Sequence, residues 1–175
     1  MVNALVPLLS GGDRRSIGKV AQVVRLVQSQ PRHMADLVAG LWHDDEVVRM
    51  RAADALEKVS AGRPQMILPF RRTLLSLAER ATQQEVRWHL AQILPRLPLI
   101  ESEQARLTPI LFAGLDDPSH IVQVNTLQAL ADLSASDAGL RFKLLPVAEA
   151  MAVHGAPSVR ARLRSLLQQL RAATL

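Results

Sequence analysis

The stretch DDEVVRMRAADALEKV, residues 44–59, opens on three acids, passes through Val-Arg and continues with small and apolar residues at helical spacing. At ~100° per residue, Val48, Ala52, Ala55, Leu56 and Val59 fall on one side of a helix. The same layout returns three times. ATQQEVRWHLAQIL carries Val86-Arg87, DDPSHIVQVNTLQALADL carries Val122-Gln123, and GAPSVRARLRSLLQQL carries Val159-Arg160. The steps between successive valines are 38, 36 and 37 residues. Four and eight positions after each Val stand Ala52 and Leu56, Leu90 and Leu94, Thr126 and Leu130, Leu163 and Leu167.

The segments between these helices repeat as well. ILPFRRTLLSLAE, LTPILFAGLDD and LLPVAEAMAVHG each set a proline early in an apolar helix, and LVPLLSGGD does so near the start of the chain. Pro109 and Pro146 stand 37 residues apart, the interval that separates Val122 from Val159. A proline in the first helical turn is tolerated because its missing N–H has no partner to lose; deeper in, it bends the helix. Each unit therefore reads as a helix A, a turn rich in Asp, Gly or Ser, and a helix B.

Composition agrees. Hydrophobic residues make up 49% of the 175 while aromatics make up 3%, so a core must be assembled from Leu, Val, Ile and Ala, which favours helices. Cysteine is absent, which excludes disulfides and thiolate metal sites. The apolar runs are short and broken by charge or proline, and no basic segment precedes the first of them. The cytoplasm is the expected compartment. The formal charge is +5, and every basic residue except Lys19, Lys58 and Lys143 is arginine, with acids interspersed throughout.

A period near 37 residues built from two helices is a solenoid signature. Helix A with Pro, an Asp-containing turn, then Val-Arg-x-x-Ala-Ala-x-x-Leu resembles the HEAT repeat. The resemblance implies an all-α, right-handed α-solenoid of about five helical pairs. It covers the chain as one domain with units 1–29, 30–63, 64–99, 100–137 and 138–175. Three places depart from the pattern. Ala35 stands near where the second unit's proline would fall, Gln123 replaces the arginine, and the first unit is irregular around DRRSIGKVAQVV. Stacking is the reason for repetition: no helix pair can bury its own stripe, and neighbours supply the missing cover.

The resemblance further implies that B helices line the concave, partner-binding surface. Measured from each Val, the side opposite the buried arc is centred two residues on, at Met50, Trp88, Val124 and Ala161. One turn further lie Asp54, Gln92, Gln128 and Ser165, and beside the row lie Arg51, His89, Asn125 and Arg162. An outward row expected to be polar instead reads Met, Trp, Val, Ala. Aromatic, Met and Arg side chains are favoured anchors of protein interfaces. The expected protein-binding site is thus Met50, Arg51, Asp54, Trp88, His89, Gln92, Val124, Asn125, Gln128 and Arg162, with Arg51 and Arg162 favouring acidic partners. Arg49, Arg87 and Arg160 are expected to be structural, reaching the turns that hold Asp44, Asp45, Asp116 and Asp117. Trp42 is expected to pack under its turn.

Neither a phosphate loop, a nucleophile elbow nor a zinc-helix motif occurs, and the five histidines do not sit at equivalent repeat positions. Glu85 and His89, at i and i+4, read as a helix-surface ion pair. No catalytic residue, metal or cofactor is expected. The reading is a non-enzymatic adaptor or scaffold for a protein or peptide. The alternative is a nucleic-acid-binding HEAT-like protein of the alkylpurine DNA glycosylase type. That resemblance implies a cationic cleft with tryptophan and aspartate, here Trp88, Arg51, Arg162 and Asp54.

Overall fold

The computed structural model describes residues 3–172, all helices, turns and loops, with no strand among them. The outermost bounds expected for the first and last units, residues 1 and 175, lie outside the described residues. The chain divides into two compact units, one ending at Leu99 and one beginning at Ile100.

The first unit holds α1 (Val6–Leu9), α2 (Val20–Ser29), α3 (Met34–Ala39), α4 (Glu46–Gly62), α5 (Arg71–Ala78) and α6 (Gln84–Ile93). Helices α3 and α5 are short because prolines set single 3-10 turns ahead of them, at Pro31–His33, Pro64–Met66 and Leu68–Phe70. Proline fixes φ and lacks the N–H that would continue a preceding helix. Helix α4 begins where Asp45 accepts the Val47 amide at 2.8 Å, a side-chain cap on a free N-terminal donor.

Helix α4 is the centre of this unit, packed against α2, α3 and α6. Its predicted arc, Val48, Ala52, Ala55, Leu56 and Val59, is wholly buried. Burial extends beyond that arc to Met50, Arg51, Ala53 and Asp54. A helix flanked on both sides by B helices hides more than one stripe, so the outward position expected for Met50, Arg51 and Asp54 is corrected: all three are buried. Gly40 lets the preceding segment approach α4 closely, since a Cβ there would stand 3.0 Å from that of Ala52.

The second unit holds α7 (Glu101–Gly114), α8 (His120–Ser134), α9 (Ala138–His154) and α10 (Pro157–Ala172). Helix α8 packs against α7, α9 and α10, and α9 against α10. Glu103 reaches back to accept the Ile100 amide at 3.2 Å, and Asp137 accepts that of Leu140 at 2.9 Å, fixing two helix starts. Pro109 and Pro146 lie inside α7 and α9 rather than in first turns. The core here is Leu107, Leu111, Val122, Leu127, Leu130, Leu140, Leu144, Val159, Leu163 and Leu166. At ~1.5–3 kcal/mol per buried aliphatic side chain, these stripes outweigh every polar contact described below.

In two of the four repeats, at Arg49 and Gln123, the residue after the valine ties its own turn. Arg49 donates through Nη1 to the carbonyl of His43 at 2.7 Å and that of Asp44 at 2.9 Å, and through Nε to Gln83 Oε1 at 2.8 Å. Gln123 donates to the carbonyl of Asp117, again six residues back, at 2.8 Å. Within the turns the partners are main-chain carbonyls, not the aspartate carboxylates. A glutamine can therefore stand in for the arginine.

Candidate functional site

The B helices carry two surfaces, one in each unit. In the first, α6 presents Trp88, His89 and Gln92, all half-buried, while Val86, Leu90 and Ile93 turn inward. The Trp88 and His89 rings lie 5.5 Å apart at 57°. His89 Nδ1 is 3.2 Å from Gln92 Oε1, and its Nε2 is 4.0 Å from Asp54 Oδ1. Asp54 Oδ1 also takes an ion pair from Lys58, one turn along α4, while Oδ2 has no hydrogen-bond partner among the described residues. Burial lowers the His89 pKa below its ordinary value, against the attraction of Asp54. Burial thus favours the neutral imidazole of His89.

Arg51 is spent on the fold. Its Nη1 donates to the carbonyls of Leu9 at 2.8 Å and Gly11 at 2.6 Å, its Nε to Ser16 at 3.0 Å, and its Nη2 to Asp13 at 3.3 Å. The irregular loop of the first unit is thereby wound around one buried guanidinium. Arg14 of that loop reaches Glu85 at 2.6 Å and Glu46 at 3.3 Å. Glu85 thus pairs with Arg14 and not with His89, correcting the expected i, i+4 pair. Burial works to raise the Glu85 pKa, but the Arg14 hydrogen bond and charge and a main-chain bond outweigh it, and the net shift is downward. Trp42 is corrected too, since 49% of it is exposed.

In the second unit, α8 and α10 form an open groove of about 450 Å³ lined by His120, Ile121, Val124, Ser158, Ala161, Arg162 and Ser165. It brings together the expected residues Val124 and Arg162 with Ala161 and Ser165 of the same rows. Gln128, half-buried, accepts a hydrogen bond from Arg162 and itself donates to Asp132. Asn125 is bonded back to the Ile121 carbonyl at 2.8 Å. The floor is apolar, and Ile121 is 53% exposed. Sequence reasoning missed His120, Ile121 and Ser158. They lie three or four residues before Val124 and Ala161, so extending each row by one turn would have found them.

No family model matches the chain, and no curated protein does. Solved structures do. A structure described as "computationally designed armadillo repeat proteins for modular peptide recognition" is 20% identical with a TM-score of 0.64, covering 95% of this chain and 81% of that one. A designed armadillo repeat protein in complex with the peptide (KR)4 is 19% identical with a TM-score of 0.65, covering 96% and 81%. An engineered protein is 18% identical with a TM-score of 0.66, covering 98% and 79%. These likenesses concern the fold, and with the helix pairs described above they make the chain an all-α helical-repeat solenoid.

Proposed function

We propose that this chain is a non-enzymatic adaptor that holds an extended peptide or protein segment on its B helices, with the α8–α10 groove as its main contact. The observation that carries the reading is the groove itself: an accessible apolar floor of Ile121, Val124 and Ala161, edged by Arg162 and small hydroxyls. Such a surface takes an aliphatic or aromatic side chain and an adjoining carboxylate. Structures of the same fold include designed proteins described as for modular peptide recognition and a designed protein in complex with a peptide. On α6, Trp88, His89 and Gln92 offer a second, half-buried contact. Met50 and Arg51 drop out because they are buried. Asp54 acts only through His89. Arg162, the remaining expected cation, favours acidic partners over basic ones.

The glycosylase alternative is weakened by the same burial, which removes Arg51 and Asp54 from any accessible cationic cleft. Selection of random peptides displayed against the immobilised chain tests the reading. Enrichment of sequences that join a large apolar residue to Asp or Glu is the expected result. A selection that enriches nothing, or enriches Lys- and Arg-rich sequences alone, overturns it.

A further inference from the structure

Helix α10 has three faces. Val159, Leu163, Leu166 and Leu170 enter the core, Ser158, Ala161, Arg162 and Ser165 face the α8 groove, and Pro157, Arg160, Arg164 and Leu167 face α9. The third face lines a separate cleft of about 530 Å³ whose other wall includes Ala152. Arg160 is the repeat arginine that in Arg49 ties the turn six residues back, and that Gln123 replaces in the same task. In Arg160 the task is not performed. Among the described residues neither Arg160 nor Arg164 has a side-chain hydrogen bond or ion pair, and both are exposed. On α9, the carboxylate of Glu149 pairs with Arg171 at 2.7 Å. The helix supplies no acid of its own.

We propose that Arg160 and Arg164 form an anion site for a phosphomonoester dianion carried on a small organic group. Residues four apart on a helix lie ~5–6 Å apart at Cβ, close enough for two guanidinium forks to meet one ligand. A carboxylate is satisfied by a single bidentate arginine, whereas a phosphomonoester offers three acceptor oxygens and about −1.5 to −2 charge, enough for two forks. Occupancy follows the ligand's second ionisation near pH 6. Ala152, Pro157 and Leu167 supply the apolar wall for the organic group. The cleft lies on a different face of α10 from the peptide groove, so it stands or falls independently of that reading.

Titration calorimetry of the whole chain with inorganic phosphate, phenyl phosphate and phenyl sulfate tests the site, using R160Q, R164Q and, as a charge control, R25Q. Arg25 is exposed on α2. The site predicts saturable one-to-one binding of phenyl phosphate. Inorganic phosphate should bind more weakly for lack of the apolar contact, and the monoanionic sulfate more weakly for lack of charge. Each cleft variant should lose about tenfold in affinity, with R25Q within about twofold of wild type. Both arginines are solvent-exposed, and unchanged circular dichroism confirms that each variant is folded. Absence of saturation by about 10 mM, or equal losses in R25Q and the cleft variants, overturns the site in favour of diffuse surface charge. Phenyl sulfate binding as tightly as phenyl phosphate overturns the dianion assignment.

Discussion

A guanidinium buried to 2% exposure must find hydrogen bonds for its five donors, and Arg51 finds them in the carbonyls of one loop. The loop is shaped to allow it. Gly18 has φ +54° and its absent Cβ would stand 2.9 Å from the Arg51 guanidinium carbon, so glycine is demanded there twice over. Replacing Arg51 with Met should leave those carbonyls unpaired and cost on the order of 3 kcal/mol, measured by urea unfolding; a loss under about 0.5 kcal/mol would show the loop to be self-supporting. His89 makes a pH prediction. Its folded pKa is lowered by burial, so its contribution to stability is present above the unfolded value of about 6.5 and is lost as pH falls through the folded pKa. The groups around it are Asp54, Glu57, Lys58 and Gln92. His89→Gln should flatten the decline in thermal midpoint below that pH, and an unchanged slope would place the sensitivity elsewhere.

Among the elements, α4 and α6 differ in what surrounds them. Helix α4 has packed neighbours on both sides, while α6 keeps Trp88 half-buried. The arc Val48–Val59 and the recurring valines were legible in sequence because burial obeys a 3.6-residue period. Met50 and Arg51 were not, because whether a second face is covered depends on neighbouring helices and on a loop about forty residues away in sequence. Arg51 in particular reads as a surface cation, and only the fold reveals the carbonyls of Leu9, Ser10, Gly11, Asp13 and Ser16 around it. The rows through Val124 and Arg162 were legible, since they converge on the groove; Ile121 and Ser158 were one turn out of reach. Leu90, at 1% exposure, should not tolerate Asp: a buried unpaired charge in the α6 core should unfold the first unit, seen as lost helical circular dichroism. Trp88→Asp should keep that signal. Its collapse would show the indole to be core.

At the scale of the molecule, no helix among the described residues is long and apolar enough to cross a membrane, and the net charge of +5 is modest. A protein that used that charge to grip nucleic acid through six to ten phosphates would lose ~10³–10⁵ in affinity between about 50 and 200 mM salt. Binding through an apolar groove with one flanking arginine should change by less than about tenfold over the same range, because a single ion pair is all that salt can screen. Fluorescence anisotropy with a display-selected peptide checks this; a slope as steep as the nucleic-acid case would transfer the function to the arginines of α10. The most direct measurement is methyl NMR of the labelled chain titrated with that peptide. The account predicts that Ile121, Val124 and Ala161 methyls shift together and saturate, while Val147 and Val153, exposed on α9, stay in place. Shifts confined to α9, or spread evenly over the surface, would contradict it.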